Sequence, residues 1–281
     1  MAYDATELDV VIPELWSSDL LKGTYQAAQI INRVQRVDGE VKKFGDILHL
    51  PYLPTFTPVN VTATSGAFVP EDLTLTDADL TIDKWKAVGF ELVKKAGKQA
   101  FIDAVAELKS QSAPALVDTM ETDILALQSD VTTNTVGGSN DVLNEDIVLA
   151  AIQKLMDLKF GALLRQPDMV SQVYHTSCWS QAKKIDAWNH AQITGHSLGG
   201  SQKMDVDALY GIPIFFNANV ASSSGRKNLM FIKHAFAVGV QNNFEFQEVP
   251  NTNLAKTYAT DVLYGVITRK EDRAVNITTK A

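Results

Sequence analysis

The spacing of hydrophobic and polar residues changes several times along the chain, and each change predicts a different element. Residues 1–44 mix apolar residues such as Trp16 and Leu20 with polar ones at loose helical spacing, which predicts an arm with one or two short amphipathic helices. From Gly45 the pattern becomes typical of β-strands, pauses at a turn-like segment and then resumes. These two runs predict a long β-hairpin over residues 45–94.

The middle of this predicted hairpin has too few large apolar residues to form a core of its own. An isolated two-stranded ribbon is only marginally stable in water. We therefore expect the hairpin to become ordered by contact with a neighbouring chain. The alternative is a flexible surface loop that makes no such contact. The residues expected to contact another subunit are Trp16, Phe56, Val59, Phe68 and Val69.

Helical spacing follows the predicted hairpin. Apolar residues from Phe101 to Leu127 recur at intervals of three or four, which predicts a long amphipathic helix. Pro114 predicts a kink or a restart, with Ser112 capping the second piece. The acidic residues among these helical positions are expected to form a solvated face; they are Glu107, Asp118, Glu121 and Asp123.

The remaining residues alternate between short helices and short strands. A second helix is predicted at 144–160 and another at 177–188, with strands at 169–174, 211–216 and 229–232. The alternation is irregular, unlike the repeating units of a wound parallel sheet. The sequence therefore predicts an α+β fold.

Composition narrows the function classes. The 281 residues include 25 basic and 33 acidic ones, and this net charge of -8 argues against a large surface that neutralises phosphates. The single cysteine, Cys178, excludes an internal disulfide and is expected to be buried. The first residues do not form a signal peptide, and charged residues interrupt the most apolar stretch, 147–164, so no membrane segment is predicted.

One motif raises the possibility of an enzyme. The letters GHSLGG at residues 195–200 match the G-x-S-x-G nucleophile elbow, with Ser197 as the nucleophile of a serine hydrolase. That elbow requires a buried strand before it, and the preceding AWNHAQIT is not one. Its partners could only be Asp205 or Asp207, with His234 as the only later histidine. We interpret the motif as a glycine-rich loop.

Other chemical motifs are missing. The histidines have no partner four residues away and there is no cysteine pair, so no zinc site is predicted. Gly137 and Gly138 lack the lysine and helix start of a phosphate-binding loop. The sequence predicts no catalytic residue, no metal and no cofactor, and hence not an enzyme.

The order of the elements resembles the major capsid proteins of tailed bacteriophages with the Hong Kong 97 fold. In those proteins too, an arm, a long hairpin and a long helix precede a compact α+β part. Four stretches strengthen the resemblance: ALVDTMETDILALQSD at 115–130, ALYGIPIFFNANV at 208–220, NLMFIKHAFAVGV at 228–240 and LYGVITRKEDRAVNITT at 263–279. The resemblance extends over nearly the whole chain.

The resemblance implies a division of the chain into parts. These would be an N-terminal arm (1–44), an extended loop (45–94), a peripheral domain with a spine helix (95–169), an axial domain (170–225) and strands that return to the peripheral domain (226–281). GHSLGG would then be a loop of the axial domain.

The resemblance also implies partners and a location. Such proteins form hexamers and pentamers that tile an icosahedral shell around double-stranded DNA, which they do not read by sequence. The arm here begins almost at Met1, so we expect a separate scaffolding protein, together with a portal. The expected location is the virion, after assembly in the host cytoplasm. A shell of the encapsulin type, a bacterial protein compartment, shares this fold and is the further alternative.

Overall fold

The computed structural model describes ten stretches of the chain: 28–41, 46–52, 56–62, 66–72, 74, 76–93, 104–166, 168–185, 208–249 and 255–281. Their strands and helices, in chain order, are β1 (Gln35–Arg36), α1 (Asp38–Val41), β2 (Ile47–Tyr52), β3 (Thr76–Thr81), β4 (Lys84–Val93), α2 (Ala104–Ala126), β5 (Thr135–Val136), α3 (Glu145–Asp157), α4 (Gly161–Leu164), β6 (Val170–His175), α5 (Trp179–Ala182), β7 (Ala208–Leu209), β8 (Ile212–Asn217), β9 (Arg226–Ile232), β10 (Phe236–Val249), β11 (Ala255–Thr268) and β12 (Ala274–Thr279).

Two mixed sheets carry most of these strands. One has the order β5-β12-β9-β6-β8-β7, and the other has the order β1-β10-β11-β4. Strand β6 runs parallel to β8 but antiparallel to β9, and β1 runs parallel to β10 although β10 and β11 are antiparallel. This mixture of strand directions, together with the helices, confirms the predicted α+β class.

The long helix α2 packs on the strands through its apolar stripe. Leu116, Met120 and Ile124 are buried in one core with residues of β10 and β11, such as Phe236 and Val262. Burying a side chain of this size stabilises the fold by about 1.5–3 kcal/mol relative to leaving it exposed. The predicted helical spacing is therefore confirmed over the described residues of this segment.

The predicted restart of this helix is wrong. Helix α2 continues through Pro114, and Ser112 does not cap a second helix. Instead the Ser112 hydroxyl donates to the carbonyl of Lys109 at 2.9 Å and accepts from the hydroxyl of Thr260 on β11, also at 2.9 Å. Packing against the sheet offsets the roughly 3 kcal/mol that a proline costs inside a helix.

Helix α3 covers a second core. Asn144 caps its first turn, since its side-chain oxygen accepts the backbone N–H of Ile147 at 3.0 Å. The helix buries Ala151 and Leu155 against the six-stranded sheet, and Cys178 is buried in the same core, as predicted. The predicted helix at 177–188 is represented by the short α5, and its residues beyond 185 lie outside the described part.

The predicted hairpin is divided between two sheets. Strands β2 and β3 pair only with each other, in a register that places Leu50 opposite Ala78. Strand β4, which the sequence pattern joined to the hairpin, pairs instead with β11, with Trp85 opposite Leu263. One continuous hairpin over 45–94 is therefore wrong at its C-terminal end. In the part of the chain that the structure describes, no helix is both long and apolar enough to span a bilayer.

Candidate intersubunit surface

The segments 56–62 and 66–72 continue the β2–β3 ribbon, and we call them the hairpin tip. Between the two segments, the Gly66 N–H donates to the Thr62 carbonyl at 2.7 Å, and the Thr62 N–H donates to the Ala67 carbonyl at 2.9 Å. The N–H of Thr57 donates to the Glu71 carboxylate at 3.0 Å. These bonds join the two segments to each other, and all of their residues are exposed.

The hairpin tip exposes large apolar side chains. Phe56 is 63% exposed, Phe68 59% and Val69 80%, and Val59 is also exposed. Large apolar side chains that are exposed together on two paired segments favour an interaction site, because contact of apolar area with water is unfavourable. Four of the five predicted contact residues thus lie on the exposed hairpin tip. The fifth, Trp16, lies outside the described residues, and contact with another subunit stays a prediction for all five.

The ribbon below the hairpin tip is fixed to the four-stranded sheet. Leu50 and Leu80 are buried in a small core with Val37, Val41 and Ala237. In contrast to the tip, this base therefore has a core within its own chain.

Two facing glycines allow the base to approach the sheet closely. Gly239 of β10 lies opposite Gly265 of β11. A Cβ atom added to Gly265 would lie 2.1 Å from the carbonyl oxygen of Thr81, and one added to Gly239 would lie 2.9 Å from Leu80 Cδ2. The end of β3 therefore crosses the sheet where side chains are absent.

A polar cluster forms on the exposed face of the ribbon. His49 Nδ1 lies 2.6 Å from an oxygen of Asp79 and 3.2 Å from one of Asp77, both on the neighbouring strand. The hydrogen bond and charge of Asp79 raise the pKa of His49. One ring nitrogen of His49 and one carboxylate oxygen each of Asp77 and Asp79 lie within 4.8 Å of one another, which is close enough for a metal site. A cross-strand ion pair with a protonated histidine explains the same geometry. Sequence spacing missed the cluster because it joins two strands.

The structure corrects the predicted role of Glu121. This residue is fully buried, whereas the sequence placed it on a solvated face. One carboxylate oxygen accepts the backbone N–H groups of Gln29 and Ile30, at 2.6 and 2.7 Å, and the other accepts the Asn217 side chain at 2.9 Å. Burial raises the pKa of Glu121, although these hydrogen bonds oppose the shift. Glu121 therefore joins helix α2 to the C-terminal part of the predicted arm and to β8.

The residues of the hydrolase hypothesis are only partly visible. Ser197, Asp205 and Asp207 lie outside the described residues. His234 is half-buried in the turn between β9 and β10, and its Nδ1 lies 3.1 Å from the side-chain oxygen of Gln35. Burial first, and then the nearby arginines, lower the pKa of His234. Gln35 thus provides a structural partner for the one candidate base that the structure describes.

Comparison with known proteins gives a clear result for structure and none for sequence. No protein-family model matches the chain, and no curated protein matches its sequence. The fold is similar to a chain from Mycobacterium phage Che8, with a TM-score of 0.77 and 20% identity over 95% of this chain and 96% of that one. It is also similar to the mature capsid of bacteriophage PhiM1, with a TM-score of 0.77 and 11% identity over 99% of both chains.

The chain has a phage capsid fold. A third structure, the capsid of the cyanophage P-SCSP1u, agrees with a TM-score of 0.72 and 9% identity over 98% of this chain and 95% of that one. The predicted capsid fold is thus confirmed, and near-complete coverage in both directions means that the likeness is not confined to one part. None of these three structures is described as a hydrolase or an encapsulin.

Proposed function

We propose that this chain is the major structural subunit of a tailed phage, which assembles into hexamers and pentamers that form an icosahedral shell. The observation that carries the proposal is the hairpin tip, which exposes Phe68 and Val69 on a chain with a phage capsid fold. A subunit of a shell has neighbours on several sides, so a segment without a core in its own chain gains one there. The chain acts by assembly and not by catalysis.

The parts of the chain have distinct roles in this proposal. Residues 1–44 are the arm and 45–94 the extended loop, whose tip covers a neighbour while its β4 stays in the four-stranded sheet of its own chain. Helix α2 is the spine helix of the peripheral domain, 95–169. Residues 170–225 form the axial domain near the centre of each capsomer, and 226–281 return to the peripheral domain. Strands β10 and β11 are long and paired, and the buried Glu121 joins α2 to Ile30 of the arm; both features support a single rigid frame for the arm and the loop.

The proposed shell encloses double-stranded DNA and forms part of the virion after assembly in the host cytoplasm. A net charge of -8 favours a lining that does not bind DNA tightly during packaging. A separate scaffolding protein and a portal are the further proposed partners.

Changing the hairpin tip tests the proposal. Deletion of residues 60–72, or the double substitution Phe68→Ser with Val69→Ser, should prevent assembly and leave a folded chain, because those of these residues that the structure describes are exposed and belong to no buried core. Sedimentation velocity measures assembly, and circular dichroism during heating measures folding. Val142→Ser is the matched control, since Val142 is an exposed apolar residue (52%) in a different loop.

Two results would count against this role of the hairpin tip. Shells that form normally without residues 60–72 would show that the tip is not needed for contact between subunits. A deletion variant that no longer folds would show that the tip belongs to its own core. The contents of purified particles separate a phage shell from a protein compartment: DNA is expected inside the former, and a cargo enzyme inside the latter.

A further inference from the structure

A small pocket lies beside the base of the hairpin, and we call it the cationic pocket. Its volume is about 250 Å³, and five residues line it: Tyr52, His234, Arg269, Lys270 and Arg273. They come from the end of β2, the turn between β9 and β10, and the segment that joins β11 to β12. Three of the five are permanent cations.

Among the residues that the structure describes, the pocket has more cations than carboxylates paired with them. Lys270 has an ion pair with Asp272, with Nζ 3.4 Å from a carboxylate oxygen. Arg269, in contrast, donates to neutral groups: to the side-chain oxygen of Gln35 at 2.7 Å and to the carbonyl of Pro51 at 2.9 Å. Among the described residues these acceptors are neutral, and a guanidinium without a carboxylate partner keeps its full charge available to an anion.

Arg273 is the least satisfied of the three cations. Its guanidinium carbon lies 5.8 Å from the centre of the Phe160 ring, and its Nε is buried and has no hydrogen-bond partner among the described residues. A buried donor without an acceptor is costly, so such groups usually have a partner in the working state of a protein. The lowered pKa of His234, to which Arg273 and Arg269 contribute after burial, fits a positive potential in the pocket.

The hairpin has the opposite charge. Residues 44–83 contain no lysine or arginine, but they contain six carboxylates: Asp46, Glu71, Asp72, Asp77, Asp79 and Asp83. Glu71 and Asp72 are exposed on the hairpin tip, and only Pro70 separates them from the apolar residues Phe68 and Val69. One oxygen of Glu71 accepts the Thr57 N–H within the tip. An arginine and a carboxylate form strong paired hydrogen bonds, and a 250 Å³ pocket has room for one carboxylate side chain.

We propose that the cationic pocket of one copy binds a carboxylate of the hairpin tip, Glu71 or Asp72, from a second copy of this chain. The proposal rests on the proposed shell function and adds a specific contact to it. Apolar contact by Phe68 and Val69 supplies affinity, while the carboxylate and Arg273 fix the register between subunits. A DNA phosphate has the same charge but no apolar surface, whereas the hairpin tip exposes Phe68 and Val69 beside its carboxylates.

Charge reversal tests this contact on the full chain. Arg273→Glu alone, and Glu71→Lys with Asp72→Lys, should each raise the protein concentration needed for assembly about tenfold, as expected when one partner of a charged contact is reversed. Combining all three changes should restore assembly, because the opposite charges then meet again. Lys280→Glu, which changes an exposed cation elsewhere by the same amount, should have no effect.

The results distinguish this contact from the shell function itself. If the unchanged chain forms no particles, the shell function is wrong. If the unchanged chain does form particles, two results would overturn the pocket proposal alone. In one, Arg273→Glu assembles as well as Lys280→Glu; in the other, the combined variant assembles no better than the variants with one side of the contact reversed. Normal assembly of Arg273→Glu with less DNA inside would assign the pocket to a phosphate and also overturn it. If Arg273→Glu does not fold, Arg273→Gln takes its place, because glutamine removes the charge and keeps a polar side chain. It too should raise the protein concentration needed for assembly.

Discussion

The carboxylate of Glu121 accepts the backbone N–H of Ile30 at 2.7 Å, although the two residues are 91 positions apart. Both residues are fully buried. The bond fixes the chain after residue 28 on the long helix α2, and the second carboxylate oxygen extends the link to Asn217. A charged group with several donors is an alternative to apolar packing for holding distant elements together.

Removing this carboxylate should destabilise the fold strongly. Glu121→Leu leaves the N–H groups of Gln29 and Ile30 and the amide of Asn217 without an acceptor. We expect the free energy of unfolding to fall by roughly 3 kcal/mol, since each buried donor without a partner is costly. Urea denaturation measures the change. Glu121→Gln retains one acceptor oxygen and should lose less; equal losses in both variants would contradict the hydrogen-bond explanation.

The same residue should give the fold a pH dependence of known sign. Burial raises the pKa of Glu121 above its ordinary value of 4.5 in the folded chain. The folded state then binds more protons than the unfolded one, so stability should fall as pH rises from 4.5 to the raised pKa and stay constant above it. Glu121→Gln removes this pH dependence, because a glutamine side chain does not titrate. The unfolding free energy of the unchanged chain minus that of Glu121→Gln should therefore fall as pH rises through this range. A difference that rises with pH would contradict the explanation.

The glycine at position 265 should be essential for the position of the hairpin base. In Gly265→Ala the new Cβ would lie 2.1 Å from the Thr81 carbonyl oxygen, so β3 or β11 must move. We expect a loss of about 1–3 kcal/mol in unfolding free energy, as for other overpacked sites, and weaker assembly. Thermal denaturation measures the loss. Gly161→Ala is the control, because nothing lies within 4 Å of a Cβ there, and an equal effect would disprove the steric argument.

The cross-strand pair on the ribbon should be visible in a histidine titration. We expect His49 to have a pKa above its ordinary 6.5, mainly because of its hydrogen bond to Asp79. Any stability that this pair adds is present below pH 6.5 and is lost as pH rises through the raised pKa. NMR of the imidazole protons measures the value. Asp79→Asn should lower it, whereas Asp72→Asn on the hairpin tip should not, and an unchanged pKa in Asp79→Asn would remove the explanation.

Elements with a strong local period could be predicted from the sequence. The apolar stripe through Leu116, Met120 and Ile124 identified helix α2, because one face of a helix repeats every three to four residues. The restart predicted at Pro114 was wrong, because the tertiary packing that keeps the helix continuous cannot be read from a local pattern.

Long-range pairings could not be predicted in this way. The alternating pattern of β4 fits a hairpin and a sheet equally well, and only the structure shows that its partner is β11. Glu121 lies at the edge of the apolar stripe, four residues after Val117, and that position is the one signal for its burial. The exposure of Phe68 and Val69 on the hairpin tip agrees with the sequence, because a lack of core-forming residues is a local property.

Electron microscopy of particles formed by the full chain, with its scaffolding protein if one is needed, tests the proposed function most directly. The predicted result is closed icosahedral shells of hexamers and pentamers, in which residues 56–72 of each subunit lie against a neighbour and cover Phe68 and Val69. Particles without closed symmetry, or single copies of the chain at every concentration, would contradict it.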